Sequence, residues 1–73
     1  MRIFVAGATG AIGRRLLPML VAAGHQVTGM TRSPGKSTQI RGAGATPAVA
    51  DALDAAAVMR VIGQAGPDVA VMS

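Results

Sequence analysis

The stretch Ile3-Phe4-Val5-Ala6-Gly7-Ala8-Thr9-Gly10-Ala11-Ile12-Gly13 decides the fold of this chain. Its first four residues form an unbroken apolar run that ends in glycine, which is typical of a central parallel strand buried on both faces. Three glycines follow at the spacing G-x-x-G-x-x-G, and a segment with helical periodicity begins after them. The stretch therefore predicts a strand, a tight turn and a helix in immediate succession.

The segment after the glycines has the period of an amphipathic helix, with Arg14 and Arg15 off its apolar stripe. Gly24 is expected to end this helix in the left-handed conformation. Pro18 removes one backbone hydrogen bond, so we expect it to kink the helix without ending it. The apolar stripe is formed by Ile12, Leu16, Leu17, Leu20 and Val21.

Three more short apolar runs predict strands, at residues 27–31, 46–50 and 69–72. Pro47 is compatible with the second of these runs if that strand lies at a sheet edge. The polar residues 32–36 that follow the first run are expected to be a loop.

Two further helices are expected between these strands. A short one covers residues 37–42, and a longer one covers residues 55–64. Asp54 is the expected N-cap of the longer helix and Gly66 its stop.

Strands and helices thus alternate along the whole chain, and each connection is long enough for the right-handed crossover between parallel strands. We expect an α/β protein with a Rossmann-type parallel sheet in the spatial order 3-2-1-4 and three helices. Residues 1–73 would form a single partial dinucleotide-binding domain, since doubly wound folds normally continue past the fourth strand.

Composition argues against several classes of protein. Seven basic residues against three acidic ones give a net charge of +4, but the basic residues form no run and Phe4 is the only aromatic residue, which disfavours nucleic acid as a partner. No apolar run approaches the roughly 18 residues that span a membrane. The absence of cysteine removes disulfides and thiolate metal sites, so we expect a cytoplasmic protein.

The glycine spacing predicts a site for the pyrophosphate of a dinucleotide. Gly7 permits the turn off the strand, Gly10 lets the backbone approach the phosphates, and Gly13 lets the helix pack on the strand. Amides at the helix start, including those of Ala11 and Ile12, would face the phosphates with the positive end of the helix dipole behind them. The alternative is a strand-to-helix turn that needs glycine for geometry alone.

Thr9 has two open roles beside these glycines. Its hydroxyl could contact the phosphates, or it could cap the helix.

Residues 5–13 resemble the extended and atypical short-chain dehydrogenases/reductases, which include the NAD-dependent epimerase/dehydratases. The resemblance continues through Ala23-Gly24-His25 and Ala50-Asp51-Ala52-Leu53-Asp54. It covers only the opening part of that family's domain. It implies a nicotinamide dinucleotide as cofactor.

The residue after the second strand predicts which dinucleotide is bound. An acidic residue there usually holds the ribose hydroxyls of NAD, but this chain has Arg32, which can pair with a 2′-phosphate. The resemblance likewise implies NADP rather than NAD. Lys36 could assist Arg32, although both could also be solvated loop charges.

The stretch after the third strand is expected to hold the adenine. The resemblance implies that Asp51 accepts a hydrogen bond from the adenine amino group and that Leu53 packs near the ring, with Ala52 between them. Alternatively, Asp51 caps the third helix, a role that Asp54 could also fill. His25 lies at the other end of the strands and is expected to be structural.

The chain lacks the catalytic residues that the resemblance implies. That family uses a Tyr-x-x-x-Lys pair, whereas this sequence has no tyrosine and Lys36 is its only lysine. The sequence also offers no nucleophile–base pair and no metal cluster. We expect an NADP(H)-binding segment of a reductase- or epimerase-like protein that is inactive by itself; a non-catalytic NADP(H) sensor and a remnant that no longer binds cofactor are the alternatives.

The fourth apolar run, residues 69–72, would leave an uncovered edge of the sheet if no further strand follows it. Such edges pair readily with a second copy of the chain. We therefore expect a homo-oligomer formed through this edge.

Overall fold

A computed structural model describes residues 1–72 and contains one four-stranded parallel sheet in the order β3-β2-β1-β4. The expected fold class and strand order are confirmed. The strands are β1 (Arg2–Ala6), β2 (Gln26–Thr31), β3 (Thr46–Val49) and β4 (Val69–Met72). The α-helices are α1 (Gly13–Ala22), α2 (Ser37–Gly42) and α3 (Ala55–Ala65). Among these residues no helix has the length and apolar character to cross a membrane.

Helices cover both faces of the sheet, and successive side chains of β1 point to opposite faces. Ile3 and Val5 pack on the face covered by α1 and α2, whereas Phe4 and Ala6 pack on the face covered by α3. Phe4 is completely buried. The helix residues that close these two layers are Leu17 and Ile40 on one face and Ala57 and Val61 on the other.

A pair of hydrogen bonds connects Asp68, the residue before β4, to the start of β1. The amide of Arg2 donates to Asp68 Oδ2, and the amide of Asp68 donates to the carbonyl oxygen of Arg2, each at 2.8 Å. This pair sets the register in which Ile3 lies opposite Val69. The other side of β4 is an edge of the sheet in the strand order described.

The helix ends agree with the sequence at three positions and disagree at one. α1 continues through Pro18, and Gly24 follows it with a φ of +90°. Gly66 ends α3 with a φ of +55°, and the side chain of Asp54 caps its start by accepting from the amide of Ala57 at 3.1 Å. The prediction for Ile12 was wrong: it precedes the helix and is 71 % exposed, so it lies off the buried stripe.

Two boundaries after β2 also differ from the sequence predictions. Residues Pro34–Lys36 form a short 3₁₀ helix where a loop was expected. Proline already has helical φ, and the amide of Lys36 donates to the carbonyl oxygen of Ser33 at 2.9 Å. β3 ends at Val49, one residue early, and lies at an edge that tolerates Pro47.

Candidate functional site

The glycine loop, residues 7–13, connects β1 to α1 in a turn that requires glycine at its first and last positions. Gly7 has a φ of +66°, and its carbonyl oxygen accepts from the amide of Gly10 at 3.0 Å. A Cβ atom on Gly13 would lie 2.3 Å from that same oxygen and 2.8 Å from the Cα of Ala8. A Cβ on Gly10 would lie 3.3 Å from it, a tight but smaller contact. The start of α1 is therefore packed directly against the turn.

In the part of the chain that the structure describes, three consecutive amides at the start of α1 have no hydrogen-bond acceptor. The first amide of this segment that does have a partner is that of Arg14, which donates to the carbonyl oxygen of Gly10 at 3.0 Å. Within residues 1–72, the amides of Ala11, Ile12 and Gly13 donate to no acceptor. Unpaired amides at the positive end of a helix favour an anion, and phosphate is the common one.

Thr9 does not cap α1, so one of its two expected roles is wrong. The residue in the cap position is Ile12, and no side chain makes a cap hydrogen bond there. The hydroxyl of Thr9 instead lies 3.2 Å from the hydroxyl of Thr31, the last residue of β2. This contact links the glycine loop to the neighbouring strand.

Gly29 and Thr31 contribute to the site although the sequence did not single them out. A Cβ atom on Gly29 would lie 2.9 Å from the Cβ of Ala8 and 3.1 Å from the Cγ2 of Ile40, so the glycine loop packs against bare backbone of β2. A glycine inside an apolar strand is a signal of such close approach. Thr31 had no comparable signal, because threonine is ordinary in strands.

Arg32 follows β2 directly, beside the glycine loop that follows the adjacent strand β1. It is exposed, and the flanking residues hold its backbone because the amide of Ser33 donates to the hydroxyl of Thr31 at 3.2 Å. Lys36 is also exposed and ends the short 3₁₀ helix. Two positive charges thus lie on the connection that follows β2, the strand adjacent to β1.

Residues 51–53 lie after β3, at the same edge of the sheet but one strand farther away. Asp51 Oδ1 accepts from the amide of Leu53 at 2.9 Å, within its own turn. Asp54 caps α3, so Asp51 is not the cap. Leu53 is 92 % exposed, and Ala52 is exposed as well. An exposed leucine can pack on the face of a flat ring, and the neighbouring carboxylate can accept a hydrogen bond from the edge of that ring.

The opposite pole of the sheet contains His25 and a separate cavity. The Nδ1 atom of His25 lies 3.2 Å from the terminal amino nitrogen of Met1. A cavity of about 480 Å³ there is lined by Arg2, Gln26 and Gln64 among others. Ligands of open parallel sheets bind at the carboxyl ends of the strands, so we assign no site to this cavity. Among residues 1–72, no three His, Cys, Asp or Glu side chains form a group that could hold a metal ion.

Comparison with known families agrees with this geometry. The profile of a family described as NAD(P)H-binding matches residues 7–73, which begins at the first glycine of the loop. The chain belongs to this NAD(P)H-binding family.

Proteins similar to this NAD(P)H-binding chain include two reductases and a short-chain type dehydrogenase/reductase. A 3-diazoavenalumate denitrifying reductase from Streptomyces sp is 41 % identical over 71 residues, which are 97 % of this chain and 22 % of that protein. A solved anaerobillin reductase from Escherichia coli O157:H7 matches 100 % of this chain and 36 % of its own, with a TM-score of 0.82 and 27 % identity. A short-chain type dehydrogenase/reductase from Mycobacterium marinum matches 88 % of this chain and 28 % of its own, with a TM-score of 0.75 and 26 % identity.

These matches confirm the family resemblance and its extent. The solved structures that the chain resembles include a reductase, a short-chain type dehydrogenase/reductase and a putative epimerase, and this chain corresponds to a short part of each. It spans 22 % of the curated reductase and 36 % of the solved one.

Proposed function

We propose that this chain holds the pyrophosphate of NADP(H) on the glycine loop, as the dinucleotide-binding segment of a reductase- or epimerase-like protein. The observation that carries the proposal is the run of three free amides at Ala11, Ile12 and Gly13. They begin a helix whose dipole favours negative charge. The loop contacts would come from Gly7, Thr9, Gly10, Ala11, Ile12 and Gly13.

The preference for NADP over NAD rests on the charges after β2. Arg32 is exposed at the carboxyl end of the strand next to the glycine loop. No acidic residue stands there to accept from both ribose hydroxyls. A guanidinium can hold a 2′-phosphate through two charge-assisted hydrogen bonds, and Lys36 adds a second positive charge nearby.

The adenine would lie against residues 51–53. Leu53 offers an almost fully exposed apolar side chain for the ring. The carboxylate of Asp51 uses Oδ1 in its own turn, and a carboxylate has further acceptor positions for the adenine amino group. Ala52 lies between them and is too small to obstruct the ring.

The 73 residues would bind the cofactor without catalysing hydride transfer. Proton transfer to or from a carbonyl substrate needs a positioned acid or base. The sequence has no tyrosine, and Lys36, its only lysine, ends the short 3₁₀ helix that we assign to the 2′-phosphate. Purified chain should therefore not oxidise NADPH with carbonyl substrates, and turnover of any of them would contradict this part of the proposal.

We also propose that the 73-residue polypeptide self-associates through β4. That strand is an edge of the sheet, and Val69 and Met72 on it are 44 % and 63 % exposed. An exposed apolar edge pairs readily with a second copy.

Nuclear magnetic resonance tests where the cofactor binds. Titration of ¹⁵N-labelled chain with NADP+ should shift the amide signals of Ala11, Ile12 and Gly13 most, since these amides would gain an acceptor. Shifts confined to Arg2 and His25 at the opposite pole would contradict the proposal.

A further inference from the structure

Thr31 joins three loops at the carboxyl edge of the sheet. It is a buried polar residue, only 4 % exposed. Its hydroxyl accepts from the amide of Ser33 at 3.2 Å and lies 3.2 Å from the hydroxyl of Thr9. Its carbonyl oxygen accepts from the amide of Ala50 at 3.0 Å. The loops after β1, β2 and β3 therefore all contact this one residue.

The direction of the hydrogen bond between the two threonines follows from counting donors. A hydroxyl donates one hydrogen bond and can accept two. The Thr31 oxygen already accepts from Ser33, and its own buried proton requires an acceptor. Within residues 1–72, the partner in reach is Thr9 Oγ1. This count favours Thr31 as the donor and Thr9 as the acceptor, and it leaves the proton of Thr9 for another acceptor.

Arg32 is held by the same hydroxyl. The bond from the Ser33 amide to Thr31 Oγ1 closes a small ring around Arg32, as threonine side chains commonly do in turns. One hydroxyl thus fixes the backbone of Arg32 and the side chain of Thr9 relative to each other.

We propose that Thr31 is a positioning residue for the cofactor: its hydroxyl makes Thr9 a hydrogen-bond donor to the pyrophosphate and holds Arg32 toward the 2′-phosphate. This inference rests on the proposed function of the glycine loop. Thr31 itself is buried beneath the loop and acts through Thr9 and Arg32.

The test is calorimetric titration of variants with NADP+ and NAD+. Thr31→Val keeps the shape of the side chain and removes the hydroxyl, so the affinity for NAD+ should fall about tenfold, the value of one hydrogen bond to a charged group. The affinity for NADP+ should fall further, because Arg32 loses its support as well. Thr31→Ser should restore most of the loss. Thr28→Val is the matched control, because Thr28 lies on the same strand toward the opposite pole.

A double-mutant cycle separates positioning from general stability. With NAD+, which has no 2′-phosphate for Arg32, Thr9→Val should weaken binding as much as Thr31→Val, and the double variant should bind no more weakly than either single one, because both remove the same donor. Additive losses with NAD+, or a loss equal to that of Thr28→Val, would overturn the inference. If Thr31→Val does not fold, Thr9→Val decides the question, since unchanged binding by it overturns the inference as well.

The wild-type titration distinguishes this inference from the proposed function. If wild-type chain binds neither nucleotide, the proposed function fails. If it binds them and Thr31→Val binds equally well, the role of Thr31 alone fails.

Discussion

Gly13 lies so close to Gly7 that a Cβ atom at position 13 would be 2.3 Å from the carbonyl oxygen of Gly7. Gly13→Ala must therefore displace α1 from the turn. We expect it to lower the free energy of unfolding by about 3 kcal/mol, at the upper end for overpacking. Urea denaturation followed by circular dichroism measures this change.

Gly63→Ala is the control for Gly13→Ala. Gly63 lies in α3, and within residues 1–72 its added Cβ would meet no atom within 4 Å beyond its chain neighbours and the backbone of its own helix. Alanine favours the helix over glycine, so this variant should gain about 0.5 kcal/mol. Equal stability of the two variants would contradict the packing described for the glycine loop.

Arg32→Ala should change the choice between the two nucleotides. We expect the Kd for NADP+ to rise about tenfold, the loss of a charge-assisted contact, while the Kd for NAD+ stays constant. Lys36→Ala should have a smaller effect, about threefold. Both are measured by titration calorimetry.

Arg60→Ala is the matched control. Arg60 is exposed on α3, so this substitution removes the same charge from a different surface. An equal loss of NADP+ affinity in this variant would show that Arg32 acts only through net charge.

Asp54→Ala should destabilise α3. The Asp54 side chain accepts from the amide of Ala57 at 3.1 Å, and loss of an N-cap costs about 1 kcal/mol. In a chain of this size, that lowers the melting temperature by about 4–8 °C.

Asp51→Ala provides the comparison, because Asp51 bonds within its own turn and not to the helix. It should lower the melting temperature by less than half as much as Asp54→Ala. The reverse order would contradict the assignment of the cap.

The strand and helix pattern was predictable because it depends on local periodicity and on glycine. Gly24 and Gly66 ended their helices as expected, since both have positive φ. Ile12 was misplaced because its spacing fits the apolar stripe, whereas the turn over residues 7–12 delays the start of the helix to Gly13. Periodicity does not show where the first helical turn begins.

The connections between loops were harder to predict. The hydrogen bond between Thr9 and Thr31 joins residues on neighbouring strands, and no spacing in the sequence marks it. The 3₁₀ helix at Pro34–Lys36 was missed because proline and glycine are also common in open loops.

Self-association of the 73-residue polypeptide should depend on β4. Val69→Lys places a charge on this exposed edge strand, and natural proteins use lysine at edges to prevent pairing. Light scattering at micromolar concentration should give at least a dimer for the wild-type chain and a monomer for the variant. A monomeric wild-type chain would contradict the proposal.

Titration calorimetry of the wild-type chain with NADP+ and NAD+ tests the central claim most directly. Circular dichroism of the same sample establishes that the sheet and helices are formed. Binding at one site per chain, with NADP+ several-fold tighter than NAD+, is the result expected from the free amides of the glycine loop together with Arg32. A folded chain that binds neither nucleotide, or that binds NAD+ several-fold tighter than NADP+, would contradict it.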